Sequence, residues 1–89
     1  MTFILIKHRV NNYDNWKPIY DESQVMASEK GQLSSRAFQE LNDPNLVTVL
    51  TEFDSKEHGE QFINSSELMK AMQKAGVNGQ PEIHFLNEN

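Results

Sequence analysis

The stretch Ser34-Ser-Arg-Ala-Phe-Gln-Glu-Leu-Asn-Asp-Pro-Asn-Leu-Val-Thr-Val-Leu-Thr-Glu-Phe53 decides the fold, because it holds two extended runs joined by a turn. Residues 46–53 are dominated by β-branched, aliphatic and aromatic types, which predicts a strand. Residues 42–45 favour a tight connection, since Asn and Asp side chains bond nearby backbone amides and Pro44 presets one turn dihedral. The more polar run at residues 36–41 is predicted to be the partner strand, on the outer side of the sheet.

The apolar side chains of the second strand point to both sides of the sheet. Leu46 and Leu50 fall on one face, and Val47, Val49 and Phe53 on the other. A strand with one face in water would alternate cleanly between apolar and polar residues. Two helices can cover only one face of such a sheet, so we expect a second copy of the chain to cover the other.

The segment before the hairpin contains one predicted strand and one predicted helix. Residues 3–9 form the strand, and residues 13–30 carry apolar side chains near the helical period. Pro18 cannot donate to the carbonyl four residues back. The regular helix is therefore predicted to begin near Lys17, after a short turn at residues 13–16, and to end at Gly31.

The segment after the hairpin repeats this plan. Asp54 and Glu57 form a capping-box pattern, so a helix is predicted from Ser55. A second helix-start pattern at residues 64–67 predicts a break. Residues 77–81 are predicted to be a loop, and residues 82–86 the last strand.

The resulting order, β-α-β-β-α-β, predicts a ferredoxin-like α+β fold in one domain that spans residues 1–89. Its four-stranded antiparallel sheet would carry two helices on one face, with the first and third strands central. The other face would line a ligand cavity or pack against a second copy.

Charge and cysteine content exclude several kinds of partner. The net charge is −5, with 13 acidic against 8 basic residues, and no cluster of Lys and Arg occurs. Nucleic acid and anionic membranes are therefore not expected as partners. The absence of cysteine excludes disulfides and thiolate metal sites and fits a reducing cytoplasm.

Four stretches resemble a known superfamily. They are Val10-Asn-Asn-Tyr-Asp-Asn-Trp-Lys-Pro-Ile-Tyr-Asp21, Asp43-Pro-Asn-Leu-Val-Thr-Val-Leu-Thr-Glu-Phe-Asp54, Ser66-Glu-Leu-Met-Lys-Ala-Met-Gln-Lys-Ala-Gly76 and Pro81-Glu-Ile-His-Phe-Leu86. Together they cover nearly the whole chain. They are similar to small bacterial proteins of the dimeric α+β barrel superfamily that are related to antibiotic biosynthesis monooxygenases and sometimes labelled cyclases.

The resemblance implies a homodimer whose two sheets pack face to face, forming a barrel with the helices outside. Relatives include cofactor-independent monooxygenases, haem-degrading enzymes and isomerases, which hold the ligand in a cleft between sheet and helices. The Asn, Trp and His of the haem degraders are not matched position by position, so we expect no haem and no other cofactor. Since fold alone does not fix function, site residues have to be argued separately.

Three residues of the first strand and helix are candidates for a site in that cleft. His8 could act as a general base, because imidazole titrates close to neutral pH, and Tyr20 could also move a proton. Trp16 is a candidate for binding a ligand at the cleft mouth. The alternative for Trp16 and Tyr20 is that they anchor the helix on the sheet.

Arg36, Glu52 and His84 are further candidates for binding. Arg36 could hold a carboxylate or enolate if it points into the barrel, or could form a cross-strand pair with Glu52 worth at most about 1 kcal/mol. His84 could share a sheet face with His8, and with Glu52 nearby would resemble a divalent metal site. No local ligand spacing supports this, so no metal is predicted.

Two classes of function remain open. The first is an enzyme of the monooxygenase, cyclase or isomerase type acting on a small apolar or aromatic molecule. The second is a non-catalytic dimeric module that binds a small molecule or protects against stress. A polar residue inside an otherwise apolar cavity would favour the enzyme, whereas a sealed apolar interior would favour the module.

Overall fold

The computed structural model describes residues 2–89 and has the predicted β-α-β-β-α-β order, with the second helix divided in two. The elements are β1 (Thr2–Val10), α1 (Tyr13–Glu29), β2 (Gln32–Glu40), β3 (Asp43–Phe53), α2 (Lys56–Ile63), α3 (Ser66–Lys74) and β4 (Val77–Asn87). The strands form one antiparallel sheet in the order β2-β3-β1-β4, so the first and third strands are central, as predicted. The ferredoxin-like fold class is confirmed.

One face of the sheet is packed under the helices and contains most of the core. This helix-covered face is formed in the central strands by Ile4, Ile6, His8, Val10, Val47, Val49, Thr51 and Phe53, all of which are buried. The register places His8 opposite Val47 and Ile4 opposite Thr51. Directly opposite residues share a face, so the buried side chains of β1 and β3 lie next to each other.

The other face, which we call the open face, carries the alternate residues of the same strands. On the central strands it includes Phe3, Leu5, Lys7, Arg9, Leu46, Thr48, Leu50 and Glu52, and on the edge strands Arg36, Phe38, His84 and Leu86. No helix of residues 2–89 covers it, and Phe38 and Leu86 remain 45% and 41% exposed. Both faces of the central strands carry apolar side chains, as the sequence indicated, but on the open face they are mixed with charged and polar ones, and only the other face is covered by helices of residues 2–89.

Helix α1 begins at Tyr13, so the prediction that the regular helix starts near Lys17 is wrong. The Asn12 side chain accepts a hydrogen bond from the Asp14 amide at 2.9 Å, and the Asn45 side chain accepts one from the Tyr13 amide at 3.0 Å. These caps satisfy free amides of the first turn. Pro18 therefore lies inside the helix, where burial of Trp16 against the sheet offsets the lost backbone hydrogen bond.

Helices α2 and α3 are separated at Asn64, which confirms the predicted break. Ser65 caps α3 by accepting from the Leu68 amide at 3.2 Å. The predicted cap of α2 is wrong, because Ser55, not Asp54, accepts from the His58 amide. Asp54 instead contacts the His58 ring, with 2.6 Å between Oδ1 and Nδ1.

The strands are longer than predicted, and the extension is largest at the N-terminal ends of β2, β3 and β4. β2 begins at Gln32, β3 begins at Asp43, and the predicted loop at residues 77–81 belongs to β4. Gly79, with φ +73°, and a register shift between Lys7 and Arg9 accommodate the irregular part of β4. β4 is an edge strand, so Pro81 is tolerated there without a ladder hydrogen bond. Within residues 2–89 no helix combines the length and apolar character needed to cross a membrane.

Candidate functional site

A pocket of about 60 Å³ lies between the helix-covered face and the helices. Strands β1 and β3 form its floor, and α1 and α3 form its walls. Its lining residues are Ile6, His8, Trp16, Ile19, Tyr20, Ser23, Gln24, Gln32, Ser35, Val49, Thr51, Phe62, Leu68, Ala71, Met72 and Ala75. The volume exceeds what a single water needs, and the lining is mostly apolar with a few polar groups, as in small-molecule sites.

His8 is the most unusual residue of this pocket. It shares its strand face with Ile4, Ile6 and Val10, and only 5% of it is exposed. Neither ring nitrogen has a hydrogen-bond partner among the protein groups of residues 2–89. Burial lowers the pKa of the imidazole below its ordinary value of 6.5, because the charged form would lose its hydration. His8 is therefore a neutral base with a free lone pair at physiological pH.

Two aromatic residues of α1 form the wall beside His8. The indole of Trp16 meets the imidazole edge to face, with ring centroids 5.7 Å apart. Tyr20 follows one helical turn later and stacks on Trp16, with centroids 4.8 Å apart. Trp16 is buried and Tyr20 partly buried, so these rings both anchor α1 on the sheet and line the pocket, and the two alternatives raised from the sequence coexist.

A neutral hydrogen-bond network occupies the end of the pocket nearest β2. The Tyr20 hydroxyl lies 2.5 Å from Ser35 Oγ. Gln32 donates from Nε2 to Gln24 Oε1 at 2.8 Å and accepts from the Thr51 hydroxyl at 2.5 Å. These bonds fix the side chains of α1, β2 and β3 relative to one another.

Apart from the neutral His8, no ionisable Asp, Glu, Lys or Arg side chain lines this pocket in the described part of the chain. A buried charge without a partner costs several kcal/mol or more, so such a pocket disfavours an ionised ligand. What the pocket can supply is a neutral base, hydroxyl and amide groups, and apolar and aromatic surface.

The structure brings three of the six sequence-predicted site residues together. His8, Trp16 and Tyr20 line one pocket. Arg36, Glu52 and His84 lie instead on the open face, since their strand partners are Leu50, Phe3 and Leu5.

The prediction that His8 and His84 could share a face is wrong. His84 pairs with Leu5, and Leu5 lies three residues from His8, which is an odd number and therefore the opposite face. A joint metal site of the two histidines is excluded by this geometry. His84 instead contacts Glu82 at 3.1 Å.

Arg36 and Glu52 do not form the direct cross-strand pair considered from the sequence. Arg36 lies opposite Leu50, and its guanidinium lies over the Phe38 ring, 5.3 Å from the centroid. Glu52 lies opposite Ser34, whose hydroxyl donates to it at 3.4 Å. Both side chains belong to the open face rather than to the pocket.

The sequence analysis missed the polar network of the pocket. Thr51 gave one usable signal, because it is the only polar residue in the buried series that continues through Val47, Val49 and Phe53. Gln24 and Gln32 gave none, since their contact depends on how α1 lies against β2.

Residues 19–75, more than half of the chain, match the antibiotic biosynthesis monooxygenase family. The chain therefore belongs to the antibiotic biosynthesis monooxygenase family. No curated protein matches it in sequence.

Solved structures of low sequence identity share the fold over nearly the full length. An antibiotic biosynthesis monooxygenase candidate from Bordetella bronchiseptica superimposes with a TM-score of 0.85 at 8% identity, covering 99% of this chain and 96% of that one. SnoaB, a cofactor-independent oxygenase from Streptomyces nogalater, gives a TM-score of 0.82 at 6% identity over 99% and 92% of the two chains. A conserved protein from Methanosarcina mazei gives 0.68 at 17% identity, over 99% and 92%. At these identities the likeness establishes the fold, and the activity has to be argued from the pocket.

Proposed function

We propose that this protein is a cofactor-independent oxygenase that acts on a small, largely apolar, aromatic molecule bound in the pocket, with His8 as the proton acceptor. The observation that carries the proposal is the buried His8 ring, whose two nitrogens have no protein partner within residues 2–89. Family membership and the fold shared with the oxygenase SnoaB support the reaction class.

The chemistry needs a base that is neutral before it reacts. Burial keeps the imidazole of His8 unprotonated, so it can remove a proton from an acidic C–H next to a carbonyl. The apolar surroundings from Ile6, Val49 and Phe62 exclude water from the resulting carbanion. Trp16 and Tyr20 offer an aromatic wall against which a planar substrate can lie.

In the proposed reaction a CH₂ carbon of the substrate becomes a carbonyl. One oxygen atom of O₂ becomes the carbonyl oxygen, and the other leaves as water with the two hydrogens of the CH₂ group. After His8 takes the first proton, the carbanion gives one electron to O₂, and the two radicals combine to a peroxide that the His8 imidazolium protonates. Loss of the second C–H proton then breaks the O–O bond and releases water. The four electrons lost by the carbon are those that O₂ gains, so no further reductant is needed.

We propose that Tyr20 is the second proton-transfer group. Its hydroxyl lies 2.5 Å from the Ser35 hydroxyl, and either oxygen can be the donor. A pair of hydroxyls can pass a proton without either side chain moving. The pair lies at the β2 end of the pocket, so Tyr20 would serve an oxygen of the substrate remote from His8.

We further propose that the protein is a homodimer that packs through the open face. Leu5 and Leu50 lie opposite each other at its centre, with Phe3, Phe38 and Leu86 around them. An apolar surface of this kind, with no helix over it, is typical of a protein–protein contact. In this arrangement Arg36, Glu52 and His84 would lie between the two sheets and contribute to the interface.

The oxygenase proposal can be tested with β-tetralone, a small aromatic ketone with an acidic CH₂ group. Oxygen uptake is recorded with an electrode, and exchange of the CH₂ protons for solvent deuterium is followed without O₂. We expect both in the wild type and a loss of at least about a hundredfold in His8→Leu. His58→Gln, an exposed histidine of α2, is the matched control and should retain both activities.

The two readouts separate the candidate functions. Deuterium exchange without oxygen uptake would replace the oxygenase with an isomerase or cyclase that uses the same base. If β-tetralone gives neither activity, and His8→Leu binds β-tetralone as tightly as the wild type does, the non-catalytic binding module is favoured.

A further inference from the structure

We infer that the natural ligand of the pocket is an uncharged molecule with a hydroxyl group at one end, an oxygen that only accepts hydrogen bonds at the other, and an apolar body between them. The inference deepens the proposed function, since it takes the same pocket as the binding site. It rests on where the pocket places its polar atoms, which lie at two separate ends.

The first end is His8. A neutral imidazole has one N–H group and one lone pair, and neither is used by a protein group of residues 2–89. A buried polar atom without a partner costs about 1–3 kcal/mol, so a ligand that satisfies it gains that amount. A hydroxyl both donates and accepts, and therefore pairs with whichever nitrogen of His8 faces it. In the proposed reaction this hydroxyl is the enol form of the carbonyl next to the acidic C–H, and removal of its proton gives the same carbanion.

The second end is the pair of glutamines, Gln24 and Gln32. Gln24 donates to the Tyr20 carbonyl and Gln32 donates to Gln24, each through one hydrogen of its amide nitrogen. Each amide nitrogen carries two hydrogens, so one N–H of each remains available. Both amide oxygens already accept a hydrogen bond. This end is therefore matched to a ligand oxygen that accepts, such as a ketone or ether.

The register of the sheet sets the two ends apart. His8 lies opposite Val47, whereas Thr51, which donates to Gln32, lies opposite Ile4. Ile4 and His8 are four residues apart on β1, which corresponds to roughly 13 Å along the strand. The backbone positions that carry the two ends are well separated, so two polar groups on one molecule match them.

The space between the ends determines the rest of the ligand. It is lined by Ile6, Val49, Leu68 and Met72, and by no acidic or basic side chain of the described residues. A carboxylate or phosphate here would lose its hydration without gaining a partner. The body of the ligand is therefore apolar, and its polar groups are uncharged.

The inference can be tested by isothermal titration calorimetry at pH 7.5 with four probes that share one benzene ring. The probes are para-hydroxyacetophenone, with both groups, acetophenone, with the carbonyl only, para-ethylphenol, with the hydroxyl only, and para-hydroxybenzoate, which is anionic. We expect para-hydroxyacetophenone to bind at least about tenfold more tightly than each of the other three, since each correctly placed bond to a buried group is worth about 1 kcal/mol or more.

Two variants assign the ends. In His8→Leu the hydroxyl should lose its benefit, so that para-hydroxyacetophenone binds no better than acetophenone. In the double variant Gln24→Leu/Gln32→Leu the carbonyl should lose its benefit, so that para-hydroxyacetophenone binds no better than para-ethylphenol. Circular dichroism and denaturation of both variants establish that each is folded before it is titrated.

The inference is overturned if the hydroxyl gives no gain in the wild type, which would mean that water satisfies His8, or if para-hydroxybenzoate binds best. It is also overturned if both variants reduce binding of all four probes equally. The binding data do not depend on turnover: the expected pattern without oxygen uptake would support the ligand class while rejecting the oxygenase, and oxygen uptake without the pattern would do the reverse.

Discussion

The imidazole of His8 and the indole of Trp16 meet edge to face at an interplanar angle of 62°, with both residues buried. The strand places His8 on the helix-covered face, and the caps of α1 place Trp16 above it. Packing therefore fixes the position of the imidazole ring while both nitrogens remain without a protein partner in residues 2–89. This combination is costly for stability, and it is what the proposed role of His8 as a base requires.

Replacing His8 with leucine should raise the free energy of unfolding by about 1 kcal/mol at pH 7.5, because two unsatisfied buried nitrogens are removed and apolar contacts are kept. Urea denaturation measures the change. Thr51→Val is the matched control, and it should lower the free energy of unfolding. The Thr51 hydroxyl donates to Gln32, so its loss should cost about 1 kcal/mol. A His8→Leu protein less stable than the wild type would contradict the prediction.

The stability of the wild type should fall as the pH is lowered below the ordinary histidine value of 6.5. The folded state holds the pKa of His8 below that value, so between the two pKa values the unfolded chain binds more protons than the folded one. Stability is therefore fully present above about pH 6.5 and decreases toward the folded pKa, with a slope of at most about 1.4 kcal/mol per pH unit.

Urea denaturation at pH 7.5, 6.5 and 5.5 measures this dependence, and His8→Leu should flatten it. His58→Gln serves as the control, because His58 is an exposed residue of α2, away from the open face, and should leave the dependence in place. Equal pH dependence in the wild type and in His8→Leu would show that another group is responsible.

Much of the fold could be predicted from local patterns. The break between α2 and α3 followed from the helix-start pattern around Ser65, and the central position of β1 and β3 followed from right-handed crossovers in the β-α-β-β-α-β order. The predicted start of α1 failed because the cap that allows it includes Asn45, which belongs to β3 and is distant in sequence. A propensity argument about Pro18 could not include that contact.

The candidate site could be predicted only in part, for a similar reason. His8, Trp16 and Tyr20 were recognisable as residues with unusual chemistry on the first strand and helix. Their separation from His84 depends on the register between β1 and β4, which residue types do not fix. The Gln24–Gln32 contact likewise joins a helix to an edge strand and has no sequence pattern.

Gly31 should tolerate a side chain less well than Gly79, although both have positive φ. At Gly31, with φ +109°, an added Cβ would lie 2.7 Å from Asp54 Oδ1 and 2.8 Å from His58 Nδ1, whereas at Gly79 nothing lies within 4 Å. Gly79→Ala should cost about 1–2 kcal/mol from the backbone alone, and Gly31→Ala at least about 1 kcal/mol more. Thermal denaturation of both variants measures the difference. Equal losses of stability would show that Asp54 and His58 do not restrict a side chain at position 31.

Placing a charge at the centre of the open face should convert the proposed homodimer to a monomer. Leu50 lies there opposite Leu5, so Leu50→Lys would bring two like charges into a buried interface, at a cost of several kcal/mol. Sedimentation velocity should give twice the mass of one chain for the wild type and a single chain for the variant. Leu41→Lys is the control, since Leu41 is 99% exposed in the hairpin turn and should leave the dimer intact.

The same pair of variants relates assembly to the pocket. The pocket lies on the helix-covered face, away from Leu50, so a folded Leu50→Lys monomer should still bind para-hydroxyacetophenone within about threefold of the wild type. A dimeric Leu50→Lys protein would reject the open face as the interface. A monomer that is folded but no longer binds the probe would show instead that the partner chain completes the pocket.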